Sequence, residues 1–217
     1  MKFGVIGLGR FGYHVATILA ENGMDVVAVD SSEAIVASIR DQVTQAVCLR
    51  ITDEAALRGI GIDEMDVVIV AMGENFAQSI LVTALIKKHL HVPRVITRAI
   101  DDIHAEILKL VGADRVILPE REIGINLAES LSSPFDYLTH ITKDFSVVQI
   151  NVPQSFIGKT FTALDAFKSY HVMCIGIKRA EEFIPSTTNS FDTLSLKKND
   201  KIIVAGIHDN LSRLAKL

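Results

Sequence analysis

Gly7-Leu8-Gly9-Arg10-Phe11-Gly12 follows directly on a short apolar run at residues 2–6, and Asp30 closes a second apolar run eighteen residues after the third glycine. This spacing suits a phosphate cradle of the dinucleotide-binding type. Gly7 permits a tight turn, Gly9 lets the backbone approach a pyrophosphate, and Gly12 lets a helix pack closely on the strand. A helix opening near Arg10 presents its first N–H groups and the positive end of its dipole to an anion. Phe11, Val15, Ile18 and Leu19 fall on one face of that helix, which is expected to be buried. Asp30 is placed to accept hydrogen bonds from ribose hydroxyls, with Ser31 beside it as a further candidate contact. The competing role for Asp30 is capping the next helix, in which case the glycines only tighten a turn.

Such a cradle needs a strand before it, a helix after it and a sheet to fix both. The hydrophobic pattern predicts strands over 2–6, 24–30, 45–49, 66–71, 94–97 and 115–118. Helices are expected between them, from about 10, from 31 or 32 to 40, over 53–59, over 75–89 and over 101–110. Six strands with intervening helices give an α/β class, a Rossmann-like doubly wound parallel sheet whose ligands lie over the carboxyl ends of the strands. After Glu120 the pattern changes. An exit helix is expected over 122–131, with Ile123, Ile125, Leu127, Ala128 and Leu131 as its apolar positions, ended by Ser132-Ser133-Pro134. Beyond it come a strand at 146–152, a helix at 162–169, a strand at 172–178, turns over 185–189, a strand at 201–205 and a helix at 209–214. That is a smaller C-terminal α+β domain, and the expected division is 1–134 and 135–217.

Composition narrows the function classes. The 217 residues are 49% hydrophobic and 22% charged, with a formal net charge of −4, which suits a well-filled core and argues against a nucleic-acid partner. No apolar run approaches the roughly 18 residues that cross a bilayer, so any membrane role is expected to run through a partner. The first strand begins at once, so no signal peptide is expected. Cys48 and Cys174 lie in apolar, strand-like surroundings and are expected to be buried structural thiols in a reducing compartment. Catalytic signals are missing from the pattern. His89 and His91 are two residues apart, a spacing that does not converge on a metal from a helix, and His171 and His208 have no evident partner. Lys159 and Tyr170 lack the spacing of a dehydrogenase pair, and no nucleophile elbow or Cys-x-x-Cys occurs. The chain is expected not to be an enzyme.

With Gly-x-Gly-Arg-Phe-Gly, an exit helix after Pro119-Glu120 and a small C-terminal module, the chain resembles the RCK family over essentially its whole length. These are cytosolic regulatory subunits of potassium uptake and channel systems, of the TrkA and KtrA type. The resemblance implies homodimers assembled into an octameric ring, peripheral at the inner face of the cell membrane. The ring would dock on a membrane potassium-translocating subunit without inserting into the bilayer. It implies ATP or ADP in the Rossmann sites changing the shape of the ring, NAD(H) in some members, a divalent cation near the phosphates, and cyclic di-AMP in some C-terminal domains. Residue by residue, Gly7, Gly9, Phe11 and Gly12 would form the phosphate loop with Asp30 on the ribose. Arg10 resembles the arginine that reaches a neighbour's γ-phosphate, a contact suited to the bidentate guanidinium; its plain alternative is a solvated first-turn residue. Ala71-Met72-Gly73-Glu74-Asn75 resembles the family's A-x-G-x-N, with Gly73 allowing close approach and Asn75 opening a helix. Arg98 stands where the family often has a phosphate-contacting lysine, a surface salt bridge being the alternative. Glu120 matches a glutamate tied to the cation, or else is simply an acid at a helix start.

Two departures from the family pattern bear on specificity. Where it commonly reads G-D-A-T, this chain has Leu49-Arg50-Ile51-Thr52. Arg50 cannot accept from the adenine amino group, though it can stack on a base or leave the backbone to read it. In the C-terminal domain Phe167 and Met173 stand where cyclic di-AMP binders carry a basic residue and an asparagine. Ile175, Ile177 and Pro185 offer an apolar floor, or are simply core. The expected function is a nucleotide-sensing subunit that gates potassium uptake. An NAD(H)-binding redox sensor and a small NAD(P)-dependent reductase are the rivals.

Overall fold

The computed structural model describes residues 1–217 apart from Glu74, Ser133, Pro134, Asp136, Thr162 and Asp165, and apart from the side chains of Tyr137, Leu138, Ala166 and Phe167. The chain forms two compact units, Met1–Glu120 and Arg121–Leu217. The first is built on parallel strands β1 (Lys2–Ile6), β2 (Asp25–Asp30), β3 (Gln45–Cys48), β4 (Val67–Val70), β5 (Arg94–Arg98) and β6 (Arg115–Ile117). Their spatial order is β3-β2-β1-β4-β5-β6. Helices on both faces require strands that are apolar throughout. Accordingly all four residues of β4 are buried. Val68 and Val70 join Ile62, Val82 and Ile86 on one side, and Val67 and Ile69 join Val5, Ala16 and Val36 on the other. The chain winds outward from β1 to β3 and then returns to β4, so the crevice above β1 and β4 is the switch point where such sheets bind ligands.

The connecting helices are α1 (Arg10–Glu21), α2 (Glu33–Ile39), α3 (Glu54–Arg58), α4 (Phe76–Ala84) and α5 (Asp102–Leu110). Three begin with side-chain caps: Asp53, Asn75 and Asp101 accept from the N–H groups of Ala56, Gln78 and His104. In α1 the buried stripe is Gly12, Ala16 and Thr17, with Phe11, Val15 and Leu19 half-buried beside it. Ile18, expected in that stripe, is 53% exposed. It sits two residues past Ala16, which is about 200° round a helix of 3.6 residues per turn. The expected helix over 75–89 is α-helical only to Ala84 and widens into a π-helical turn over Leu85–His89. There the Lys87 ammonium donates to the Val92 and Pro93 carbonyls and to Asp114.

Helix α6 (Pro119–Ser132) starts earlier than expected, with proline at its first position, and none of its residues is buried. The C-terminal sheet is antiparallel, in the order β10-β9-β11-β8-β7, from β7 (Tyr137–His140), β8 (Phe145–Asn151), β9 (Met173–Arg179), β10 (Glu182–Pro185) and β11 (Lys201–Ile207). Strand β8 alternates, burying Ser146, Val148 and Ile150. Its core gathers Phe156, Phe161, Phe191, Ile202 and Leu211. Strands β7 and β10 are not among the sequence expectations. They are four residues each at the two edges, and β10 takes in Pro185, which the sequence places in a turn. Of the expected helix over 162–169 only α7 (Ala166–Ser169) is helical, and Thr162 and Asp165 lie outside the described residues. Helix α8 (His208–Leu214) closes the chain. Ile177 is fully buried and belongs to the core, while Met173 is 66% exposed. The expectation of two buried thiols is corrected. Cys48 is exposed at the end of an outer strand; Cys174 is half-buried, and burial pushes its thiol up to about 12.

Candidate functional site

Between β1 and α1 the backbone turns at Gly7 with φ +88°, a conformation that L side chains avoid, and a Cβ there would also press on the Met72 backbone at 3.1 Å. A Cβ on Gly12 would collide with the Gly7 carbonyl oxygen and come within 2.9 Å of the Ala71 side chain. Close packing of α1 on the sheet therefore needs glycine at both positions. Gly9 is different. A Cβ there would meet nothing within 4 Å, so the protein leaves space above it. Gly9 is also the N-cap of α1 and no side chain caps that helix, so the first-turn N–H groups face this space without an internal side-chain acceptor.

Asp30 fastens the loop. Its Oδ2 accepts from the Leu8 N–H at 2.7 Å and its Oδ1 from the Ser32 N–H at 2.8 Å. Each carboxylate oxygen keeps a lone-pair direction for a further donor such as a ribose hydroxyl. Asp30 thus shapes an Asx turn, and Ser32 stands at the N-cap of α2 without a side-chain cap bond.

Above these residues lies a cavity of about 770 Å³, lined by Gly7, Gly9, Arg10, Phe11, Asp30, Ser31, Ala71, Gly73, Asn75, Arg98 and Glu120. A second hollow of about 390 Å³ shares Gly7, Asp30 and Ser31 with it and extends over Leu49, Arg50 and Ile51. The structure thus brings every nominated residue to one place, except that Gly12 supports the cavity from below. Met72 and Gln78 line both hollows and were not nominated. Gln78 was legible: it stands three residues after Asn75, at the second position of a capping-box pattern, and its N–H donates to Asn75 Oδ1 at 3.0 Å while its Oε1 accepts from Asn75 Nδ2. Its amide also donates to the Ile51 carbonyl at 3.3 Å, tying α4 to the segment carrying Arg50. Behind it, buried His104 on α5 holds α4 through Ser79 Oγ at 2.8 Å and stacks on Phe76. Its Nδ1 accepts from the Ile100 N–H, so Nε2 carries the proton, and burial lowers the ring's pKa.

The charges are unevenly matched. Among the described residues Arg10 and Arg50 have no carboxylate partner, whereas Arg98 is paired with Glu120. Gly73 makes room for that pair, since a Cβ on it would collide with the Arg98 guanidinium. The Glu120 carboxyl is held below its ordinary range by its own backbone N–H and by Arg98, against a smaller opposing effect of burial. Among the described residues no group of three or more His, Cys, Asp or Glu could hold a metal. Glu120 fits a divalent cation only as a single ligand, with phosphate oxygens and water completing the shell.

Residues 3–119, the part that forms this site, match the TrkA-N domain. The chain belongs to the TrkA-N family. This TrkA-N protein is 36% identical over 217 residues to the Ktr system potassium uptake protein C of Bacillus subtilis, covering 99% of this chain and 96% of that protein. It is 34% identical over 216 residues to the Ktr system potassium uptake protein A of Vibrio alginolyticus, with the same coverage. Among solved structures, the GsuK RCK domain superposes with a TM-score of 0.68 at 18% identity, over all of this chain and 47% of that one. This chain therefore spans about half the length of that structure.

Proposed function

We propose that this protein is a cytosolic, nucleotide-sensing regulatory subunit that gates a membrane potassium uptake or channel protein without itself catalysing a reaction. One observation carries the reading: the uncapped N-terminus of α1, the space over Gly9 and Arg10, which has no carboxylate partner among the described residues, open into one cavity at the sheet's switch point. That is a site for a polyanion held against a sugar-reading carboxylate. The names of the Ktr relatives support potassium uptake as the process served. Among the described residues lining the two hollows the carboxylates are Asp30 and Glu120, both already engaged, by backbone N–H groups and by Arg98, and no His, Lys, Tyr or Cys joins them, which favours a sensor over a reductase.

In this reading ATP and ADP share the loop over Gly7, Gly9, Phe11 and Gly12, with Asp30 and Ser31 at the ribose. Ala71, Gly73 and Asn75 form the facing wall, and Arg50 stacks on the base. Arg10, exposed and unpaired, reaches the γ-phosphate of the neighbouring subunit's ATP. Residues 1–134 act as one functional domain with its exit helix, and 135–217 form the second. Helix α6 exposes Ile123, Ile125, Leu127 and Leu131, as a helix buried in a homo-oligomeric ring requires. Among the described residues no helix is long and apolar enough to cross a membrane, which fits attachment through a partner. Arg98 contacts phosphate, and Glu120 holds a divalent cation when a nucleotide supplies the remaining ligands.

The site also suits a dinucleotide, whose second nucleoside would extend along the larger hollow. Calorimetric titration with ATP, ADP, NAD and NADH, with and without Mg²⁺ or Ca²⁺, separates the two. Micromolar ATP and ADP with weak NAD(H) supports the nucleotide switch. Preference for NADH would make Arg10 incidental and favour the redox sensor.

A further inference from the structure

Of the three arginines lining the two hollows, only Arg98 is paired with a carboxylate among the described residues, and its setting is incomplete. The guanidinium lies over Gly73, Nη2 donates to Glu120 Oε1, and Nε is buried with no hydrogen-bond partner among the described residues. A buried guanidinium donor left unmatched is unusual unless another acceptor belongs there. The two partners differ in freedom: the Arg98 side chain is 21% exposed, that of Glu120 68%. Arg98 ends β5, while Glu120 stands on the first turn of α6 and lines the larger cavity.

Resting on the nucleotide reading above, we propose that Glu120 is an internal competitor for the ligand's phosphate. It occupies Arg98 in the empty site and must release it when a phosphate enters. Two consequences follow from the exchange of partners. Without a divalent cation, nucleotide affinity is held down because a freed Glu120 carboxylate faces a phosphate with nothing to neutralise it. With a cation, Glu120 gains a new partner as it loses Arg98, so cation and nucleotide bind with positive cooperativity, each easing the other's entry.

The test is ADP titration of the full-length protein in EDTA. Glu120→Gln should tighten ADP binding about two- to fivefold, the range that release of a partly exposed ion pair gives. The same substitution should abolish the further tightening caused by Ca²⁺ in the wild type. Removal of any acid near phosphates raises affinity somewhat, so the decisive arm is a double-mutant cycle. In an Arg98→Met background, Glu120→Gln should tighten ADP clearly less than in the wild-type background, because only repulsion by the carboxylate is then relieved. An equal gain in both backgrounds, or no gain in the wild-type background, overturns the latch. Glu120→Ala provides the same comparison should Glu120→Gln fold poorly by circular dichroism. If the wild type binds no ADP or ATP at all, the nucleotide reading fails and the latch fails with it.

Discussion

Both carboxylate oxygens of Asp30 are engaged by backbone N–H groups before any ligand arrives. Its removal should therefore do two things. Asp30→Ala should weaken every ribonucleotide in calorimetry and also lower unfolding free energy by about 1–3 kcal/mol, since two N–H groups lose their acceptor. Unchanged stability in urea denaturation would mean that the loop does not depend on this residue. Arg10 behaves oppositely, having no partner to strand among the described residues. Arg10→Ala should leave ADP affinity and melting temperature nearly unchanged while erasing discrimination between ATP and ADP; equal weakening of both would contradict a role at the γ-phosphate. At this scale the glycine spacing and Asp30 were legible because local backbone geometry dictates them. The Arg98–Glu120 pair was not, since the two are 22 residues apart and meet only because β5 pairs with β6, which leads directly into α6. Gly73 was read as a place of close approach, and the structure puts the Arg98 guanidinium over it.

Helix α4 carries the site wall through its first turn, and two devices hold it there. Asn75→Ala should remove the cap and cost about 0.5–2 kcal/mol, read as a lower melting temperature. His104 gives a pH signature. Burial lowers its pKa in the folded state, while the unfolded chain takes up a proton near 6.5. The unfolded state thus binds more protons as pH falls through 6.5, so stability is full above that pH and declines below it. Denaturation curves between pH 7.5 and about 5 should show this slope, and His104→Gln should flatten it. In the C-terminal unit, Asp200 is 2% exposed. Burial would raise its carboxyl, but Arg179 and the Lys197 N–H hold it below the ordinary range. Arg179→Met should cost about 3–5 kcal/mol at neutral pH by stranding that charge, and less in acid, where Asp200 takes up a proton. Elements buried on both faces, such as β4, were legible from apolar runs. The edge strands β7 and β10 were not, because four residues at a sheet edge leave no long alternation, and Pro185 reads as a turn residue.

For the whole molecule, the parallel order β3-β2-β1-β4-β5-β6 follows from six alternating strand and helix signals, which is why the fold class is legible in the sequence. What no pattern within one chain conveys is how copies meet. The exposed Ile123, Ile125, Leu127 and Leu131 of α6 would gain a partner in the proposed assembly. A ligand can shift such an assembly between two shapes only by binding them unequally, and about 5.5 kcal/mol of preference is needed to move it from nearly all one to nearly all the other. One additional phosphate read by Arg10 at several coupled sites is the proposed source of that preference. The most direct measurement is small-angle X-ray scattering of the purified protein at saturating ATP and at saturating ADP, for wild type and Arg10→Ala. The account predicts two distinct scattering profiles for the wild-type assembly and one shared profile for the variant. Identical profiles with ATP and ADP in the wild type, both nucleotides being bound, would contradict a nucleotide-switched ring.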